Sequence, residues 1–161
     1  MSRPEIADEV AAELDRLAHP HGPHDPEGPN STIARFTETV RVRRGARITE
    51  EYLSLQPDVE RGGRAAVVTA GSPGAGKSTA LEDSGFDTQG FRDIDPDRIK
   101  TLLLRDALND GTFEDLLRRT LADGGTVRPM ELASLVHRES TIIAQNVAEI
   151  SMRSGERRST V

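Results

Sequence analysis

The stretch "VVTAGSPGAGKST", residues 67–79, decides how the chain is read. Val67 and Val68 belong to a short apolar run, "RAAVVTA" at 64–70, of the kind that forms a buried strand. The loop that follows is built of glycine and small residues and ends in Lys-Ser. Gly71, Gly76, Lys77 and Ser78 satisfy the pattern G-x-x-x-x-G-K-[ST], with Ser72, Pro73, Gly74 and Ala75 between them and Thr79 behind. Such a loop holds phosphates. Its glycines let backbone N–H groups close around a β-phosphate with no Cβ in the way. Lys77 is expected to reach the β- and γ-phosphates and Ser78 to ligate Mg²⁺, and the helix that begins there turns its positive end to the anion. A plain Gly-Pro turn before a helix would explain the glycines but not the strand ahead of them.

Working outward, "FRDID" at 91–95 reads as a second strand. "PDRIKTLLLRDALNDG" reads as a helix, with Asp95 as its N-cap and Pro96 in its first position. "TFEDLLRRTLADGG" predicts another helix closing on glycine, and a long helix is expected from about Pro129 to Arg153. Upstream, Ile6, Val10, Leu14 and Leu17 form the stripe of a first helix, and "HPHGPHDPEGPN" breaks the chain. A second helix is expected from Ser31 to about Arg43 and a third, "ITEEYLSL", after Gly45. The division read from this pattern is a helical N-terminal extension over 1–60 and a P-loop domain over 61–161. The fold class is α/β: a P-loop NTPase-type parallel sheet with helices in front of it. Two strands are too few for such a sheet, so either strands escape the pattern or the sheet is incomplete, and the expectation is an incomplete sheet of few strands.

Composition sets the remaining bounds. A chain of 161 residues can bury a core, and with four Phe, one Tyr and no Trp that core must rest on Leu, Ile, Val and Ala. The formal net charge of -6 argues against a broad nucleic-acid surface but leaves room for a small phosphorylated ligand in a local positive pocket. The absence of Cys excludes disulfides and thiolate metal sites. No apolar run approaches membrane-spanning length, so the expectation is a cytoplasmic protein with neither a membrane nor a nucleic-acid partner.

Two carboxyl-bearing features remain. "DIDPDRIK" sets Asp93, Asp95 and Asp97 at a strand-to-helix junction, where open α/β sheets bind their ligands. It is not a calcium loop, because Pro96 is wrong for one and Leu104 stands where the bidentate Glu belongs. Asp97 either answers the helix dipole or acts as the base that accepts a proton from an attacking hydroxyl. Glu139 lies in the middle of an apolar stripe made by Leu132, Leu135, Val136, Ile143, Val147 and Ile150. A carboxyl group there either pairs with an arginine such as Arg98 or Arg105, or opens into a polar cleft and accepts hydrogen bonds from a substrate. His19, His21 and His24 sit in a Pro/Gly-rich loop with no fixed ligand geometry.

"GSPGAGKST", "DIDPDRIK" and "VHRESTIIAQ", in that order, resemble the zeta toxin family of P-loop kinases over about residues 64–155. The resemblance implies transfer of the ATP γ-phosphate to the 3′-hydroxyl of UDP-N-acetylglucosamine or a related sugar nucleotide, and restraint by a small antitoxin protein. Carried over by motif, Lys77 and Ser78 bind ATP and Mg²⁺, Asp97 is the base, and Glu139 helps hold the sugar nucleotide. Family members continue past the long helix into a strand ending in an acidic residue and Gly-Thr, and then supply arginines that clamp the phosphates. Here "SGERRSTV" closes the sequence, so slow turnover is expected of these residues alone. The other readings are a P-loop kinase of another small hydroxyl substrate and a non-catalytic nucleotide-binding remnant.

Overall fold

The computed structural model describes residues 3–62, 66–68, 79, 83, 85, 87 and 89–160. The glycine loop, including Gly71 through Ser78, lies outside the described residues. The architecture is mixed and helix-rich, and the chain forms two compact units, each assembled from two segments. One comprises Met1–Gly45 and Lys100–Ser140, the other Ala46–Ile99 and Thr141–Val161.

In the first unit, α1 (Arg3–Ala18) turns Ile6, Val10 and Leu14 partly inward and buries Leu17, as its stripe predicts. The short helix α2 (Thr32–Arg35) delivers Arg35 to Asp115 at 2.8 Å and to the Asn30 side chain at 2.8 Å, with its guanidinium over the Phe113 ring. The break expected at Gly45 falls instead at Phe36–Thr37, and α3 (Glu38–Ser54) runs straight through the glycine. A glycine inside a helix costs only about 1 kcal/mol against alanine. Buried neighbours offset it: Arg44 reaches Asp106 at 2.9 Å and the Leu103 carbonyl at 2.9 Å, and its guanidinium lies over Phe36.

The helix expected over "TFEDLLRRTLADGG" shrinks to α5 (Glu114–Leu117), which follows α4 (Pro96–Asn109). Beyond it the chain doubles back, with Thr120 bridging Thr126 and Leu121 N–H donating to the Gly125 carbonyl at 2.8 Å. Two adjacent glycines, with Gly124 at φ +79°, favour that turn over a further helical one. The expected long helix is also divided. Pro129–Val136 is a 3-10 helix, in which Leu132 and Leu135 eclipse at three-residue spacing and both are buried, and α6 (His137–Arg153) continues it. Ile150, assigned to the apolar stripe, is exposed, and Ser151 takes the buried position instead.

The second unit holds the sheet. Three short strands, β1 (Ala66–Val68), β2 (Arg92–Ile94) and β3 (Arg158–Thr160), pair in parallel in the order β1-β3-β2. The third strand comes from "SGERRSTV", read from sequence as a closing tail. Helix α6 ends where Gly155 adopts φ +68°, with Gly155 N–H donating to Met152 and Glu156 N–H to Ser151, and the chain enters β3 directly. Arg92 on β2 meets Glu156 through two hydrogen bonds of 3.1 Å, both side chains buried, and gives its third nitrogen to the Leu53 and Gln56 carbonyls at 2.9 Å. Arg157 pairs with Glu60 at 2.6 Å and lies over the Phe91 ring. Among the described residues no helix is long and apolar enough to cross a membrane.

Burial pushes the Glu156 carboxyl up, but Arg92, with Ser151 and Arg61 adding to it, holds the group below the usual glutamate range. Removing one partner of such a pair leaves a buried charge alone. Glu156→Ala is therefore expected to cost about 3–5 kcal/mol in urea unfolding at neutral pH. A depressed carboxyl contributes stability above its ordinary value and loses it as pH falls through the folded value, so the gap between variant and parent should close below pH 4.5.

Candidate active site

The site is built on the exit from β2. The strand ends at Ile94, and Asp95 caps the helix that follows: its Oδ1 accepts the Asp97 N–H at 2.8 Å, with Pro96 in the first helical position as predicted. Asp93 is half-buried. Its Oδ2 lies 3.1 Å from Arg98, while its buried Oδ1 has no hydrogen-bond partner among the described residues. Burial pushes the Asp93 carboxyl up, Arg98 opposes that, and Asp95 adds to it. Arg98 also approaches Asp95 at 4.0 Å, so its guanidinium answers the junction's acidic residues. Asp97, in the first turn of α4, is exposed.

Supporting residues that sequence reasoning missed come from α3 and the segment after it. The Tyr52 hydroxyl donates to the Asp93 carbonyl at 3.1 Å and accepts the Asp95 N–H at 2.9 Å. Gln56 Oε1 accepts the Asp93 N–H at 3.0 Å. The signal available was slight: the chain's one tyrosine, four residues after Ile48 on the buried face of a helix.

Parallel pairing fixes where β1 ends. Val68 and Ile94 both lie opposite Thr160, so β1 and β2 are level across the intervening strand. Two strand spacings separate them, about 10 Å. The chain therefore leaves β1 after Val68 and leaves β2 toward Asp95 and Asp97 at the same end of the sheet, the carboxyl ends of its strands. Lys77 and Ser78 themselves lie outside the described residues, and Thr79 is helical and exposed.

Glu139 belongs to the first unit. It is 4% exposed, and neither carboxyl oxygen has a hydrogen-bond partner among the described residues. The internal ion pair weighed for it with Arg105 is not formed, and Arg98 spends its charge on Asp93 and Asp95. His137 is exposed. Of the loop histidines, His24 is buried with its Nε2 unpartnered. Burial pushes its imidazole down, Arg119 adds to the effect and Glu131 opposes it. Among the described residues no group of three or more His, Asp or Glu is arranged to hold a metal ion.

Comparison with family models, curated proteins and solved structures finds no match to this chain.

A buried polar group with no partner costs roughly 1–3 kcal/mol. Glu139→Met, which keeps length and helix propensity while removing both oxygens, should raise the urea-unfolding free energy by about that amount. An unchanged or lowered stability would mean that the Glu139 carboxyl is satisfied in solution.

Proposed function

We propose that this chain is the nucleotide-binding part of a P-loop phosphotransferase of the zeta toxin type, moving the γ-phosphate of ATP to a hydroxyl of a sugar nucleotide such as UDP-N-acetylglucosamine. The observation that supports the reading is the common end of two strands: the strand before the phosphate-loop sequence and the strand before the Asp95–Asp97 junction run parallel and end level, with β3 between them.

The roles follow from chemistry. The backbone N–H groups between Gly71 and Gly76, Pro73 having none, and the Lys77 ammonium would grip the β- and γ-phosphates, and Ser78 would hold Mg²⁺, which neutralises charge on the phosphate oxygens. Asp97, exposed at the head of α4, takes the proton of the acceptor hydroxyl as its oxygen bonds to the γ-phosphorus. The bond from that phosphorus to the bridging oxygen breaks, and ADP leaves. Glu139, neither of whose oxygens has a hydrogen-bond partner among the described residues, has the chemistry to accept hydrogen bonds from hydroxyl or amide groups of the sugar nucleotide. ATP and sugar nucleotides are cytoplasmic metabolites, and a kinase that consumes them needs restraint, the place an antitoxin protein would fill.

The test is incubation of Mg·ATP with UDP-N-acetylglucosamine and a panel of other alcohols, with phosphorylated product read by mass spectrometry. Asp97→Asn should lower transfer by about 10²- to 10⁴-fold and leave ATP affinity nearly unchanged. Undiminished transfer by that variant would remove Asp97 from the chemistry. ATP binding with no transfer to any acceptor would leave a binding module.

A further inference from the structure

The outer edge of β2 carries the inference, which rests on the kinase reading above. Along a strand, the backbone groups of alternate residues point to opposite edges. On β2, Arg92 N–H faces inward and donates to Arg157 at the start of β3. The N–H and carbonyl of Asp93, and the N–H of Asp95, face the other way, where a neighbouring strand would normally satisfy them. No strand pairs there among the described residues. Gln56 Oε1 takes the Asp93 N–H, and the Tyr52 hydroxyl serves both the Asp93 carbonyl and the Asp95 N–H. Two side chains thus stand in for a strand.

Of the two, only Tyr52 reaches past the strand to the helix cap. Its hydroxyl fixes the Asp95 amide, and Asp95 Oδ1 in turn holds the Asp97 N–H. The Tyr52 side chain is 2% exposed, so packing fixes the ring and the hydroxyl has one place to be. We propose that Tyr52 is the positioning residue for Asp97, setting through Asp95 where the base stands at the edge of the sheet. Burial pushes the Tyr52 phenol up, the Asp95 amide opposes that, and the phenol keeps the proton it donates to Asp93.

Tyr52→Phe keeps the ring and removes the hydroxyl. It should lower kcat by about 10- to 100-fold while KM for Mg·ATP stays within about twofold, since the phosphate loop is untouched. Gln56→Ala uncaps the same edge without touching Asp95 and should leave kcat near the parental value. In a double-mutant cycle, Tyr52→Phe should add almost nothing to the loss caused by Asp97→Asn, because it acts through that residue. Additive losses, or equal losses from Tyr52→Phe and Gln56→Ala, would reduce Tyr52 to a structural residue and overturn the proposal.

A second measurement avoids any folding defect. Because the chain has one tyrosine, growth on a fluorinated, more acidic tyrosine alters Tyr52 alone. The labelled protein should lose kcat as pH rises and the phenol gives up the proton it donates to Asp93, a loss the ordinary protein does not share. Identical pH profiles would overturn the proposal. No transfer by the unaltered chain to any alcohol would reject the kinase reading, and the proposal with it, whereas transfer that is indifferent to Tyr52 rejects the proposal alone.

Discussion

Arg92 and Glu156 share two hydrogen bonds where water does not reach, and the sheet depends on that contact. Glu156 lies two residues before β3, Arg92 opens β2, and the same guanidinium fastens both to the end of α3 through the Leu53 and Gln56 carbonyls. Burying two charges is expensive, and the geometry here answers nearly all of it: two bonds to the carboxylate and two more to backbone oxygens. With β3 held in that place, β1 and β2 have a common partner and a common direction. The exits from β1 and β2 then lie at one end of the sheet, a consequence of strand pairing alone.

Much of this was legible in the residues. The apolar run before the glycine loop, the strand at 92–94 and the Asp95-capped helix stand where hydrophobic pattern and capping chemistry put them. The misses have physical causes. β3 is Arg-Ser-Thr, too short and too polar for a period-two pattern, and its place comes from Gly155 ending α6 and from side chains far off in sequence. Gly45 looked like a break because propensity is local, whereas the buried Arg44 and Ile48 that carry α3 through it are fixed by tertiary contacts. The 3-10 segment at Pro129–Val136 mimics the opening turns of an α-helix in sequence, because leucines three apart suit both periods.

The candidate site divides in the same way. Asp97 and Glu139 were visible as residue types out of keeping with their surroundings: an acid in a first turn beside two others, and an acid on an apolar stripe. Tyr52 was not, because a tyrosine on the buried face of an amphipathic helix is ordinary until the partners of its hydroxyl are known. Glu139 shows the opposite tension. A buried carboxyl group without partners lowers stability, and proteins hold such groups where function requires them. The two buried glutamates thus differ: Glu156 is fully answered, whereas Glu139 has no hydrogen-bond partner among the described residues.

The proposal to be tested is that ATP bound by the glycine-loop sequence comes close to the Asp97 junction. Binding of ATP with Mn²⁺, whose unpaired electrons broaden nearby amide resonances, tests it directly. The amides of Asp95, Asp97 and Arg98 are expected to broaden together with those of the non-proline residues of 71–78. Broadening confined to the loop, with residues 95–98 unaffected at saturating nucleotide, would contradict it.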